Sequence, residues 1–174
     1  MLADHQFVSR LRDQEEAAVL AMVERYYAPI ARYLSRLTGD PHLSDDLTQE
    51  TFLAAYVALP RLNDGSSLST WLFQIATNKA RQHWRRQRLI RWISLGALGD
   101  TPADAEDRLD ERDLVGRAMA QLPEDYRTCL LLQSWAGLSC AEIGRVLGRS
   151  EPATRVLLMR ARRRFREVYE GEDL

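Results

Sequence analysis

The sequence predicts an all-α protein, made of two small helical domains joined by an acidic, flexible linker, with a helix-turn-helix in the second. Three observations predict it. Apolar residues recur at three- and four-residue spacing through most of the chain. No segment shows the period-two alternation of a half-buried strand. Glycine, proline and carboxylates collect past the middle, where the helical spacing fails.

A chain of 174 residues holds one domain or two small ones. Its 45% hydrophobic and 28% charged residues exclude a disordered or fibrous class. No apolar run approaches the ~20 residues of a membrane-spanning helix. The first fifteen residues mix charge and apolarity without a signal-peptide core. Cys129 and Cys140 lack the spacing and partners of a zinc site or a disulfide framework, so a reducing cytoplasm is the expected compartment.

The elements follow in order. Over residues 15–37, Val19, Met22, Val23, Tyr26, Tyr27, Ile30, Tyr33, Leu34 and Leu37 make one helical stripe. Pro29 lies inside it and predicts a kink or a division. Gly39 stops the helix, and Asp40-Pro41 reads as a turn. The next helix is expected over 44–59, with Ser44 as N-cap and Asp45 and Asp46 in its first turn. The turn-forming residues 62–67 make a loop. A long helix covers 68–91, with Leu68, Leu72, Ile75, Ala76 and Ala80 facing a core. Residues 94–108 read as the linker, dividing a domain at 1–93 from one at 109–174. There, 109–121 suit a first helix. Pro123 opens a second, which buries Leu130, Leu131 and Trp135 and ends at Gly137. Ser139 and Glu142 match a capping box, with Leu138 and Ile143 as its hydrophobic staple. Gly148 ends that helix after two turns, and Ser150 or Glu151 caps the last.

The net charge of −1 argues against nucleic acid until its distribution is read. Lys79, Arg81, Arg85, Arg86, Arg88 and Arg91 form one cationic cluster, and the arginines from Arg155 to Arg166 another. The carboxylates from Asp100 to Asp113 separate them. Two basic patches on one chain fit two nucleic-acid contacts; solvated helix faces are the alternative.

Residues 139–166 read as a helix-turn-helix. Gly148-Arg149-Ser150 turns sharply, and the second helix opens with Ser150, Glu151, Thr154 and Arg155 before its arginine run, Arg160 included. Polar residues at that end reach base edges, and cations further on reach phosphates. On the 68–91 helix, Trp71, Phe73 and Trp84 interleave with Asn78, Gln82, His83 and the basic run. Aromatics beside cations suit unpaired bases. Core tryptophans with arginines extending past them are the other reading. His5, His42 and His83 stand apart. Neither a phosphate loop nor a serine elbow is found, and the acids Asp45, Asp46 and Glu50 lack a second cluster to complete a metal cage. No catalytic residue, metal or cofactor is expected.

Four stretches, in order and spacing, carry a resemblance. They are Tyr27-Ala28-Pro29 to Asp40, Ser44-Asp45-Asp46-Leu47-Thr48-Gln49-Glu50-Thr51-Phe52, Ser69-Thr70-Trp71-Leu72-Phe73-Gln74-Ile75-Ala76-Thr77-Asn78, and Leu122-Pro123…Arg127 through Ala141-Glu142-Ile143-Gly144 to Arg160-Ala161-Arg162. The chain resembles the extracytoplasmic-function (ECF) group of sigma-70 factors, which are bacterial transcription initiation subunits and not enzymes. The resemblance implies that Asp45, Asp46, Gln49 and Glu50 dock on the β′ clamp of core RNA polymerase, with the β flap a further contact. It implies that the loop with Asn63, Asp64 and Ser66, and the helix with Trp71, Phe73, Asn78, Lys79, Arg81, Gln82, Arg85 and Arg86, melt and read the −10 element. Arg149, Ser150, Glu151, Thr154, Arg155 and Arg160 are then the −35 readers, and the acidic linker threads a basic polymerase channel. Most members answer to an anti-sigma partner, which these residues do not themselves encode. Departures from the pattern are Leu68 for the usual phenylalanine, Pro152-Ala153-Thr154 for Gly-Thr-Val, and Leu157 for a basic or polar residue. The rival functions are a stand-alone helix-turn-helix regulator, which would bind duplex operator unaided, and an interaction protein with a vestigial helix-turn-helix.

Overall fold

The computed structural model describes residues 2–63, 67–95 and 114–172, and all regular structure among them is helical, as expected. In chain order come α1 (Leu2–Arg12), α2 (Glu16–Thr38), α3 (Pro41–Ala58), a 3-10 turn (Leu59–Arg61), α4 (Leu68–Leu95), α5 (Leu114–Ala120), α6 (Glu124–Ser134), α7 (Cys140–Leu147) and α8 (Glu151–Glu172). Most of the expected linker, along with Asp64 and Ser66, lies outside the described residues.

Helices α1 to α4 form one packed group and α5 to α8 another. In the first, α2 lays Met22, Ile30, Tyr33, Leu34 and Leu37 into the core, all fully buried. Pro29 does not divide this helix. Its ring removes one backbone hydrogen bond, at a cost of ~3 kcal/mol. Burial of Ile30, Tyr33 and Leu34 in the next turn contributes ~1.5–3 kcal/mol per side chain and outweighs it. Tyr33 also ties α2 to α4. Its hydroxyl lies 2.8 Å from Thr77 Oγ1. Because the Thr77 proton is donated to the Phe73 carbonyl, Tyr33 is the donor. The Tyr33 and Phe73 rings meet edge to face at 5.3 Å.

The start of α3 differs from expectation. Asp40, not Ser44, is the N-cap, and its carboxylate accepts the N–H groups of His42 and Leu43 at 2.9 and 3.2 Å. Pro41 takes the first helical position, where its missing N–H is harmless. Ser44 is buried and donates to the Pro41 carbonyl, so Asp45 and Asp46 fall beyond the first turn. The end of α4 lies past the expected boundary, at Leu95, so Ser94 is helical rather than linker.

In the second group, α5 is described from Leu114, the expected helical residues 109–113 lying outside the described residues, and Pro123 is the N-cap of α6 rather than part of its first turn. Leu130 and Leu131 are buried as expected. Trp135 is not: at the C-cap of α6 it is 52% exposed, with the Arg36 guanidinium 3.8 Å above its ring. The capping box of α7 forms as the spacing predicts, and Leu138 and Ile143 are both buried beside it. Gly148 ends α7 at φ +67°, a conformation that strains any residue with a Cβ.

The two groups pack on each other, α2 against α6 and α4 against α7. Arg127 spans them from within. Its guanidinium donates to the carbonyls of Leu37 on α2 (3.2 Å), Ala120 on α5 (2.6 Å) and Leu122 (3.2 Å).

Candidate nucleic-acid and protein interfaces

Helix α3 presents an unburied face. Leu47, Thr48, Thr51 and Ala55 turn inward, while Asp45, Asp46, Gln49 and Glu50 lie outside. The buried hydroxyls are satisfied locally: Thr48 donates to the Ser44 carbonyl and Thr51 to that of Leu47. The outer face continues through Leu53, Tyr56 and Val57, all large, apolar and exposed. Acids followed by an apolar end suit a protein partner carrying cations beside an apolar patch. Glu50 is partly engaged already, with Lys79 of α4 at 3.2 Å.

Helix α4 divides its predicted site residues in two. Asn78, Gln82, Arg85 and Arg86 are exposed, as is Asn63 in the preceding loop. Phe73 is buried in the core, so in this structure it offers no stacking surface, contrary to expectation. Trp71 is half-buried and packs against the same core. Lys79 and Arg81 are half-buried and paired. Arg81 lies 2.8 Å from Asp125 and 3.9 Å from Glu124, and Arg88 lies 3.5 Å from Glu124.

The helix-turn-helix has the predicted parts in a tight arrangement. A Cβ on Gly144 would lie 2.7 Å from the Arg149 carbonyl oxygen and 3.1 Å from Thr154 Oγ1, so only glycine lets α7 cross the turn this closely. The Ser150 hydroxyl accepts the Ala153 N–H at 3.4 Å, marking it as the residue that starts α8. Thr154 is 0% exposed and donates to the Ser150 carbonyl, so it is a packing residue and not a base reader in this structure. Leu157 is buried too, and its departure from the family pattern leaves the outer face unchanged. Arg149, Ser150, Glu151, Arg155 and Arg160 are exposed. Arg155 pairs with Glu151 at 2.5 Å, and Arg149 reaches Asp125 at 2.5 Å. The Glu142 carboxyl is held below the usual carboxylate range by the Ser139 N–H, the Ser139 hydroxyl and Thr70.

Comparison with known proteins gives this arrangement its family. Residues 22–90 match the model of Sigma-70 region 2 and residues 112–165 that of Sigma-70, region 4. The ECF RNA polymerase sigma factor SigM of Bacillus subtilis is 30% identical over 150 residues, covering 84% of this chain and 91% of the relative. The chain belongs to the sigma-70 family, in its ECF group. Among solved structures, CnrH in complex with the cytosolic domain of CnrY shares the fold at a TM-score of 0.74, with 24% identity over 97% of this chain and 98% of that one. The sigma factor RpoE of Bartonella quintana, in complex with the anti-sigma factor NepR, shares it at 0.71, with 22% identity over 85% and 94%.

In this sigma factor, region 2 takes in most of α2, α3 and most of α4, while region 4 runs from α5 into α8. The structure brings together residues that the sequence keeps apart. Asp125 joins Arg81 of α4 to Arg149 of the helix-turn-helix. Thr70 donates to Glu142 at 2.9 Å across the same seam. Neither Glu124 nor Asp125 stands out in the sequence as more than a helix-start acid, and no local pattern shows that Arg127 clasps three carbonyls. The exposed Leu53 and Val57 were detectable: they break the apolar-in pattern of their own helix. Among the described residues no helix is long and apolar enough to cross a membrane.

Proposed function

We propose that this ECF sigma factor acts in the cytoplasm as the promoter-specificity subunit of RNA polymerase, without a catalytic step of its own. The observation that carries the reading is that one chain holds two separate polar and cationic helix surfaces, on α4 and on α8. A duplex-operator regulator has no use for the first. The helix-turn-helix reads the −35 element through Arg149, Ser150, Glu151, Arg155 and Arg160. Asn63, Asp64 and Ser66, with Asn78, Gln82, Arg85 and Arg86 of α4, capture and select the melted −10 strand. Asp45, Asp46, Gln49 and Glu50 dock on the β′ clamp, and Leu53 and Val57 extend that contact. The two functional domains divide in the residues between Leu95 and Leu114.

In the structure α7 packs on the first half of α4 at Thr70 and Gln74, and in this proposal the two helices part to free that half of α4 for DNA. An anti-sigma partner of the kind solved with the Bartonella factor would act on the same equilibrium. Transcription with purified bacterial core polymerase and a randomised promoter library tests the reading. The expected result is a selected pair of elements and permanganate-reactive thymines at −10, both dependent on core. Sequence-specific binding to duplex by the chain alone, with no core-dependent opening, would reject it in favour of a stand-alone regulator.

A further inference from the structure

The polar readers expected on α8 are fewer than the sequence implies. Thr154 is buried, Arg155 and Glu151 hold each other, and Arg149 is drawn aside to Asp125. What occupies the centre of the outer face is apolar. The inward stripe of α8 is Thr154, Leu157, Leu158 and Ala161. Directly opposite, at helical spacing, run Pro152, Val156, Met159 and Arg163, all exposed. Val156 is 44% and Met159 62% exposed. Large apolar side chains on the outer face of a recognition helix, flanked by the exposed cations Arg155, Arg160 and Arg163, fit one kind of surface: a polyanion with apolar points inside its groove.

Resting on the −35 reading above, we infer that Val156 and Met159 are specificity residues that read thymine C5-methyl groups in the major groove. The thymine methyl is the apolar group that the groove offers, and apolar side chains recognise it by contact. Three residues of helix rise are ~4.5 Å, close to the ~3.4 Å between successive bases. The two side chains therefore meet methyls on neighbouring steps, while the arginines hold phosphates and set register. Val156 is stiff at χ1 and demands one methyl position; Met159 is unbranched and adapts to its own.

The test uses the holoenzyme, formed from the full chain and bacterial core polymerase, on a −35 element selected from a randomised library. Each thymine of that element is replaced singly by deoxyuridine, which removes the methyl and leaves base pairing intact. Losing one buried methyl corresponds to about fourfold in affinity. The expected result is a loss of that size at one or two thymines. It should disappear at one in Val156→Ala and at the other in Met159→Ala, as a double-mutant cycle requires of a direct contact. Both side chains are exposed and alanine favours helix, so these variants keep the fold. A selected element without thymine, uniform insensitivity to deoxyuridine, or a methyl effect unchanged in both variants would overturn the inference and leave the −35 reading standing. Failure to select any −35 element would overturn both.

Discussion

Two single residues hold more of this molecule than their sequence context announces. Arg127 is half-buried, and that burial pushes its guanidinium below the usual value, yet it remains a cation. Its partners are neutral carbonyls, and two lie in the final turns of α2 and α5, where carbonyls lack an intrahelical donor and the helix dipole is negative. Arg127→Met should therefore lower unfolding free energy by ~2–4 kcal/mol, since several buried acceptors lose their donors at once. Lysine should not rescue it, because one ammonium cannot reproduce a planar fork. Urea unfolding would show this, and a loss under ~0.5 kcal/mol for either variant would contradict it. Glu142 works with the opposite charge. The Ser139 N–H first, then the Ser139 and Thr70 hydroxyls and the Arg145 charge, lower its carboxyl from an ordinary value of 4.5. The unfolded chain binds that proton more readily, so the contribution is complete above the ordinary value and is lost as pH falls through the folded one. Glu142→Ala should cost ~1–2 kcal/mol at pH 7, the scale of a lost cap and one tertiary hydrogen bond. The deficit should narrow towards pH 3; an equal deficit at both pH values would show that the ionised carboxylate contributes nothing.

At the scale of elements, α3 and α8 each expose a face that internal packing does not use. Asp46→Arg, which reverses a charge, combined with Gln49→Arg, which adds one, should weaken binding to core polymerase by ~2–5 kcal/mol if the contact is desolvated. Leu53→Asp, one turn further on the same face, should add to the loss. Circular dichroism should be unchanged, because all three side chains are exposed. Undiminished co-purification with core would remove α3 from the docking surface. On α8, Arg155→Ala should either relax one −35 position or weaken all sequences alike with a shallower salt slope, separating a base contact from a phosphate contact. If neither changes, α8 does not sit in the groove as drawn. What the sequence made legible at this scale was whatever a few neighbouring residues decide. The Ser139–Glu142 capping box, the staple and the stop at Gly148 all have their causes within ten residues. The start of α3 was misread because Ser44 resembles a cap, although Asp40-Pro41 four residues earlier completes the same task with a proline already helical in φ. Trp135 and Thr154 were misplaced for a different reason. Their placement, Trp135 exposed under Arg36 and Thr154 buried beside Gly144, depends on partners that helical periodicity alone does not bring to them.

At the scale of the whole molecule, α7 of the helix-turn-helix packs on α4, the helix proposed to capture the −10 strand. The covering of α4 by α7 rests on Thr70–Glu142, on Gln74 to the Arg145 carbonyl, and on the acid pair Glu124 and Asp125. That acid pair collects three arginines, Arg81 and Arg88 from α4 and Arg149 from the turn before α8. Each ion pair is partly exposed and contributes only ~0–1 kcal/mol. Removing both acids has a second consequence, since it leaves three cations gathered with nothing between them. Glu124→Gln combined with Asp125→Asn preserves shape and hydrogen-bonding capacity while replacing attraction with repulsion. A change of ~1–2 kcal/mol in the balance between closed and open forms amounts to roughly a 5- to 30-fold change in their ratio. The double variant should show a larger radius of gyration in small-angle scattering. High salt should change the wild type more than the variant, because screening acts on attraction in one and on a weaker repulsion in the other. Association with a −10 single strand in the presence of core should also quicken, since Arg81 is released. If radius, salt dependence and association rate all match the wild type, the acid pair does not hold the helices together, and the direct packing of α4 on α7, with its Thr70–Glu142 and Gln74–Arg145 hydrogen bonds, must do so.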